Sequence, residues 1–332
     1  MNRLNNSVGI LGLGSYLPEK ILTNFDLEKI VDTSNDWIIK RTGISERRVL
    51  EKHEPAFEIG IKASQRAIEE AGIRGEDLDL IIVTTETPDY LAPSTACIIQ
   101  GKIGAVNAAA FDLNAACSGF IYGLSVAQQF ISTGHYKYIL VVAVEALTKI
   151  VDWEDRNTCV LFGDGAGAAV LGPVEEGYGL LGTYLGADGT IGHNITIPCC
   201  YIAEEDLEKR LHENKHVLWM DGSEVFKFAV RVMEHATLEV LKKANMELND
   251  IQLIFPHQAN VRIIEGAVKR LGVSNDRVIV NVEKYGNISS ASIPVALDQA
   301  LKNKNLAKGD NILLVGFGGG LTWASAIIKW AK

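Results

Sequence analysis

The sequence predicts an α/β protein made of two successive copies of one order of elements, β-α-β-α-β-α-β-β. Three observations predict it. Apolar runs of about four to eight residues alternate with longer runs of helical period. The short runs are mostly apolar, which reads as strands buried on both faces and therefore covered by helices on both sides. The same order then repeats in the second half, although the residue identities do not visibly match.

The first copy begins with a strand at 7–13, a helix at 56–72, a strand at 77–85 and a helix at 94–104. It continues with a strand at 108–114, a helix from Cys117 to about Thr133, and strands at 138–145 and 165–174. The second copy has a strand at 178–186, a helix at 223–245, a strand at 251–256 and a helix at 261–272. A strand at 277–282, a helix at 290–303 and strands at 311–317 and 322–331 complete it. The junction falls in "GPVEEG", so the expected halves are 1–174 and 175–332. The polar stretch from about Asn194 to Trp219 reads as an inserted surface loop.

At 332 residues, 47% hydrophobic and 22% charged, the composition is that of an ordinary globular protein. A net charge of −9 argues against nucleic acid as a partner, while leaving room for a local basic patch. No apolar run reaches the ~18 residues of a membrane span, and "MNRLNNSVGILGLG" lacks the layout of an export signal. Five scattered cysteines fit a reducing cytoplasm better than a disulfide framework. The adjacent Cys199 and Cys200 lack the two-residue gap of a zinc knuckle, and no metal site is expected.

Four stations could carry chemistry, because reactive groups in open α/β sheets gather at the carboxyl ends of strands. Cys117, in "FDLNAACSGF", stands where a strand gives way to a helix. A helix N-terminus lowers a thiol pKa, although position alone suits a core cysteine equally well. His257, in "FPHQAN", occupies the same station in the second copy beside Gln258 and Asn260. Asn287, in "YGNISSAS", follows a predicted strand and is either functional or a turn residue next to Gly286. "GFGGGLTW" can expose backbone N–H groups to an oxyanion. A thiolate that attacks a carbonyl, with imidazole and amide groups as donors to a second oxygen, suits acyl transfer through an enzyme thioester.

With "DTSNDWIIKRTGISERR", "AACSGF", "WEDRNTCVLFGDGAGAAVLGP", "EVFKFAV", "PHQANVRII", "YGNISSASIP" and "GFGGGLTW" in order, the sequence resembles the β-ketoacyl-acyl carrier protein synthase III family. These are the initiating condensing enzymes of bacterial type II fatty-acid synthesis, with the thiolase fold, and the resemblance covers nearly the whole chain. It implies a five-layer α-β-α-β-α architecture, a homodimer in the cytoplasm, and no cofactor beyond acyl-coenzyme A and malonyl-acyl carrier protein as substrates. It implies that Cys117 accepts the acyl group, that His257 and Asn287 complete a triad, and that the N–H groups of Cys117 and Gly319 form an oxyanion hole. Trp37, Arg41 and Arg156, with Thr33, Lys227 and Asn260, would hold coenzyme A. Gln258, Arg262, Lys269 and Arg270 would receive the acidic carrier protein.

Two departures bear on the acyl pocket. Ala92, preceded by Leu91, stands where relatives usually carry a phenylalanine that closes the partner's pocket, so a longer or branched primer is expected to fit. Ile288 stands where they carry threonine and would narrow the site. The rivals are a related condensing enzyme with another 3-ketoacyl or polyketide-type product, and a non-catalytic acyl-coenzyme A or carrier binding protein. A hydroxymethylglutaryl-coenzyme A synthase would need a glutamate upstream of the nucleophile; Glu86 lies in about that region, but the motifs are those of the fatty-acid enzyme.

Overall fold

The computed structural model describes residues 7–199, 217–303 and 305–332. Five strands make the first sheet: β1 (Val8–Tyr16), β4 (Leu80–Thr84), β5 (Ala109–Leu113), β6 (Ile139–Ala146) and β7 (Asp164–Pro173), in the order β1-β7-β6-β4-β5. β4 runs parallel to both of its neighbours, and β7 runs antiparallel to β1 and β6. Every residue of β6 is buried, including Glu145, because this strand is central and covered on both faces. The second sheet has four strands: β8 (Gly179–Ala187), β11 (Leu253–Pro256), β12 (Asn311–Gly318) and β13 (Thr322–Lys329), in the order β11-β12-β13-β8.

Helices make the other three layers. α3 (Ala56–Ala71) and α4 (Thr95–Lys102) cover the outer face of the first sheet, around a core of residues such as Ile59, Ile81, Ile99 and Val142. α6 (Gly222–Ala244) and α7 (Val261–Leu271) cover the outer face of the second. α6 buries Val225, Ala229, Val232, Met233, Ala236 and Val240, the stripe that a 3.6-residue period places on one side. Asp221 caps its start through the N–H groups of Ser223 and Glu224, and Asn245 ends it in the left-handed conformation.

Between the sheets lie α5 (Gly119–Ser132) and α9 (Ser292–Lys302). Their core takes Phe120, Leu124 and Ile131 from α5, Ile293 and Leu297 from α9, and side chains of both sheets. α5 approaches the first sheet closely because Gly123 lies over Val141, where an added Cβ would stand 2.7 Å from a methyl group. The thiolase-like, five-layer arrangement is thus present. All strands of one sheet precede residue 174 and all strands of the other follow 178, yet the middle layer belongs to both.

One element differs. The segment 277–282 is not a strand; it makes a single bridge, Val278 to Ile254, and then enters the short helix α8 (Val282–Tyr285). The Gln258 side chain takes up the backbone groups that a ladder would use. Its Oε1 accepts from the N–H groups of Asn281 and Val282 at 2.9 and 3.1 Å, and its Nε2 donates to the Ile279 carbonyl at 3.0 Å. The segment between β1 and α3, for which the sequence predicted no element, contributes Trp37, Arg41 and Thr42 to the wall of the site. It holds the hairpin β2 (Ile21–Thr23) and β3 (Glu46–Arg48) and the helices α1 (Asn24–Leu27) and α2 (Asn35–Thr42). Arg47 anchors it from the interior by donating to Asn24 Oδ1 at 2.9 Å and to the Val160 carbonyl at 2.7 Å.

Of the expected insertion, β9 (Ile195–Thr196) and β10 (Trp219–Met220) pair antiparallel at its ends. Residues 200–216, and Cys200 with them, lie outside the described residues. Among the described residues no helix is long and apolar enough to cross a membrane.

Candidate active site

Cys117 is delivered by a tight turn. β5 ends at Leu113, a 3-10 turn spans Ala116–Ser118, and α5 starts at Gly119. Ala116 is held at φ +48°, a left-handed conformation that non-glycine residues seldom adopt and that typically costs ~1–3 kcal/mol. The surroundings enforce it. Asn114 Oδ1 accepts from the Ala116 N–H at 3.1 Å, and the hydroxyls of Ser118 and Thr322 both donate to the Ala115 carbonyl. Gly318 closes the turn from β12; a Cβ there would lie 2.5 Å from the Cys117 nitrogen. The second copy repeats the device. Ser289 sits at φ +45°, a 3-10 turn spans Ser289–Ala291, and α9 follows. Ser290 thus occupies the station that Cys117 holds in the first copy.

His257 continues β11, its N–H donating to the Val315 carbonyl at 2.8 Å. Its ring meets Phe317 edge-on at 5.5 Å between centroids, and Nδ1 has no partner among the described residues. Burial alone holds the imidazole down at about 3, so it is neutral across the physiological range. Asn287 is pinned by its backbone to Leu161 and Gly163. Its Oδ1 accepts from the Ser289 N–H at 2.9 Å, which leaves the amide nitrogen as the end that can donate to another group.

Cys117, His257 and Asn287 line one cavity of about 1010 Å³, together with Gly318 and Gly319. That volume is at the upper end of the range for small-molecule sites and suits an extended ligand. Trp37, Arg41, Lys227, Asn260 and Arg262 also line it. The guanidinium groups of Arg41 and Arg156 stand 5.4 and 5.2 Å from the Trp37 ring centre, an aromatic and cationic clamp of which Trp37 and Arg41 line the cavity. Asn260 caps α7 through the Arg262 N–H and donates to the Arg41 carbonyl at 3.2 Å, tying the two sides of the mouth together. Lys227 pairs with Glu224 at 2.7 Å. Thr33 is half-buried, its hydroxyl has no partner among the described residues, and it does not line the cavity.

Three sequence expectations need correction. The Cys117 thiol is not lowered: burial and the neighbouring Glu86 carboxyl push it well above the usual thiol range. Gln258 cannot touch a carrier protein, being 1% exposed and fully engaged with its own backbone neighbours. Arg270 is not a free charge, since Glu234 holds its guanidinium at 2.5 Å. Arg262 and Lys269 remain exposed, seven residues apart on α7 and hence on one face. Leu91 and Ala92 lie on the surface and do not line this chain's cavity.

Sequence reasoning missed Glu145. Its signal was a charged residue ending an otherwise apolar strand; buried, it accepts from Ser290, Thr87 and the Glu86 N–H. It also missed Phe317, an aromatic side chain inside a glycine run that shapes the histidine's wall.

Two family models match the chain. One, described as 3-oxoacyl-[acyl-carrier-protein (ACP)] synthase III, matches residues 111–189, and the one for the C-terminal part of the same enzyme matches 241–330. A beta-ketoacyl-[acyl-carrier-protein] synthase III from Caldanaerobacter subterraneus subsp. tengcongensis is 57% identical over 326 residues, covering 98% of each chain. One from Desulfitobacterium hafniense is 53% identical over 326 residues, again covering 98% of each. The crystal structure of 3-oxoacyl-[acyl-carrier-protein] synthase III from Aquifex aeolicus VF5 is similar with a TM-score of 0.91 and 45% identity, covering 97% of this chain and 100% of that one.

Proposed function

Since the chain belongs to the 3-oxoacyl-[acyl-carrier-protein] synthase III family and is a condensing enzyme that initiates fatty-acid synthesis, we propose that Cys117 takes an acyl group from coenzyme A and that His257 and Asn287 activate malonyl-acyl carrier protein. The observation that carries this reading is that these three side chains, brought from distant points of the sequence, line one cavity. The thiolate attacks the thioester, and the oxyanion forms beside the backbone N–H groups of Cys117 and Gly319. Coenzyme A leaves, and malonyl carrier protein then loses carbon dioxide. The neutral imidazole and the Asn287 amide nitrogen donate to its thioester oxygen as enolate charge develops, and the carbanion attacks the acyl-cysteine. Two oxyanions arise at two places, and two sets of donors face them. No step requires a metal or redox group.

The clamp of Trp37, Arg41 and Arg156 supports stacking of the adenine end of coenzyme A, with Lys227 and Asn260 along its path and Thr33 at the periphery. A panel of acyl-coenzyme A primers, with the acyl-enzyme detected by mass spectrometry and product formed from malonyl carrier protein, tests the whole scheme. Failure of every primer to load the enzyme would refute it.

Arg262 and Lys269 present the docking face for the acidic carrier. Lys269→Glu is expected to raise KM for malonyl carrier protein about 3- to 10-fold and to leave acylation by acetyl-coenzyme A unchanged. The wild-type rate with the carrier falls as salt is added. An unchanged KM would remove Lys269 from the docking face.

The exposed β5 edge, with Tyr90, Leu91, Val106 and Phe111 around it, supports a homodimer formed across that edge. In such a dimer Ala92 stands at the partner's acyl pocket in place of a ring. The enzyme is then expected to accept butyryl- and isobutyryl-coenzyme A, and Ala92→Phe is expected to shift kcat/KM toward acetyl. A ranking of primers unmoved by the substitution would show that Ala92 does not set the pocket's depth.

A further inference from the structure

Decarboxylation supplies the carbanion without a base, so one proton in the cycle remains to be placed: the proton on the Cys117 sulfur. His257 is assigned to the enolate, and Asn287 cannot accept a proton. The cavity holds one further ionisable side chain beside the sulfur. Glu86 follows β4, lines the cavity, and places Oε1 3.9 Å from Cys117 Sγ. The Ser289 hydroxyl donates to the same oxygen and fixes its position.

We propose that Glu86 is a catalytic residue that takes the Cys117 thiol proton as the acyl group arrives and returns it when the sulfur is released. The proposal rests on the reading of Cys117 as the nucleophile. In acylation the S–H bond breaks and its proton goes to the Glu86 carboxylate. Sγ bonds to the thioester carbon, that carbon's bond to the coenzyme A sulfur breaks, and the departing thiolate takes a proton from solvent. In condensation the carbanion attacks the acyl-cysteine, the carbon–Sγ bond breaks with its electron pair on sulfur, and Glu86 reprotonates Sγ. One solvent proton is consumed per turnover, as the loss of carbon dioxide from a carboxylate requires.

The surroundings suit this exchange. Around Glu86 stand Cys117, Glu145 from β6 and, across the cavity, the neutral His257. Burial raises Glu86 and raises Glu145 to about 8, so Glu86 readily stays neutral while its neighbour is an uncharged thioester. Moving a proton between sulfur and carboxyl leaves the net charge of the buried pair unchanged, and the two groups titrate as one unit.

The test is single-turnover acylation by acetyl-coenzyme A across pH in wild type and Glu86→Gln. The variant is expected to acylate about 10²-fold more slowly at neutral pH, the lower end of general-base effects. Its rate should climb about tenfold per pH unit where the wild type is level, because only solvent then removes the proton. Decarboxylation of malonyl carrier protein by the same variant, which needs His257 and Asn287, should persist. Acylation at the wild-type rate, or slower acylation with the wild-type pH profile, overturns the assignment. If Glu86→Gln does not fold, Glu86→Asp decides: a level profile at reduced rate supports the exchange and a steep one overturns it. Cys117→Ala run alongside separates the two claims. An acylated Cys117→Ala protein refutes the nucleophile, whereas a fully active Glu86→Gln beside an inert Cys117→Ala refutes only Glu86.

Discussion

Cys117→Ala should form no acyl-enzyme, and condensation should fall to background, on the order of 10⁴-fold or more, as when a nucleophile is removed from a covalent mechanism. Alanine fits the turn, because the strain there belongs to Ala116 and the closure to Gly318, neither of which changes. The fold and the cavity therefore persist. Decarboxylation of malonyl carrier protein should persist too, since its donors come from β11 and from the turn before α9. Mass spectrometry after acetyl-coenzyme A treatment and a carbon dioxide release assay check the two halves separately. Undiminished condensation would sink the nucleophile assignment.

His257→Ala or Asn287→Ala should leave single-turnover acylation of Cys117 near the wild-type rate and lower condensation by about 10²- to 10³-fold, the usual cost of one oxyanion donor. The imidazole, held at about 3, does not change charge between pH 5 and 8, so its contribution should be level over that range. The sign follows from the depression. An imidazole whose pKa is lowered on folding is neutral above that value, and protonation enters only as pH falls toward it. Equal loss in acylation and condensation would indicate a structural role for either residue.

The strands and the middle helices were legible because each depends on local pattern, which also offered Cys117, His257 and Asn287 as candidates that only the family resemblance grouped together. An apolar run that stops at Cys117 or His257 marks a strand's carboxyl end whatever lies around it. The missing strand at 277–282 was not legible. "RVIVNV" has strand composition, and only the three-dimensional placement of Gln258, some twenty residues upstream, diverts its backbone groups. The same side chain was misassigned to the surface because a polar residue beside an active histidine looks accessible in sequence. The raised thiol was hidden for a similar reason. A helix start near Cys117 is visible in the letters, whereas the burial of the sulfur, and Glu86 reaching it from just after β4, reverse the expected direction. Long-range polar contacts of this kind have no period to betray them.

The turn around Cys117 has a consequence for how the protein is made. Its strained Ala116 is held by Ser118 from within, but also by Gly318 and Thr322, at the end of β12 and the start of β13. Those strands are made after the whole of the first half, to which the turn belongs. Until they are, α5 has one face uncovered and the left-handed residue lacks half of its restraints. A nascent first half therefore carries a cysteine with no cavity, no oxyanion donor from the glycine run and no histidine opposite. The reactive geometry is completed only once β12 and β13 have been made, which separates the exposure of an unfolded thiol from the appearance of a competent nucleophile.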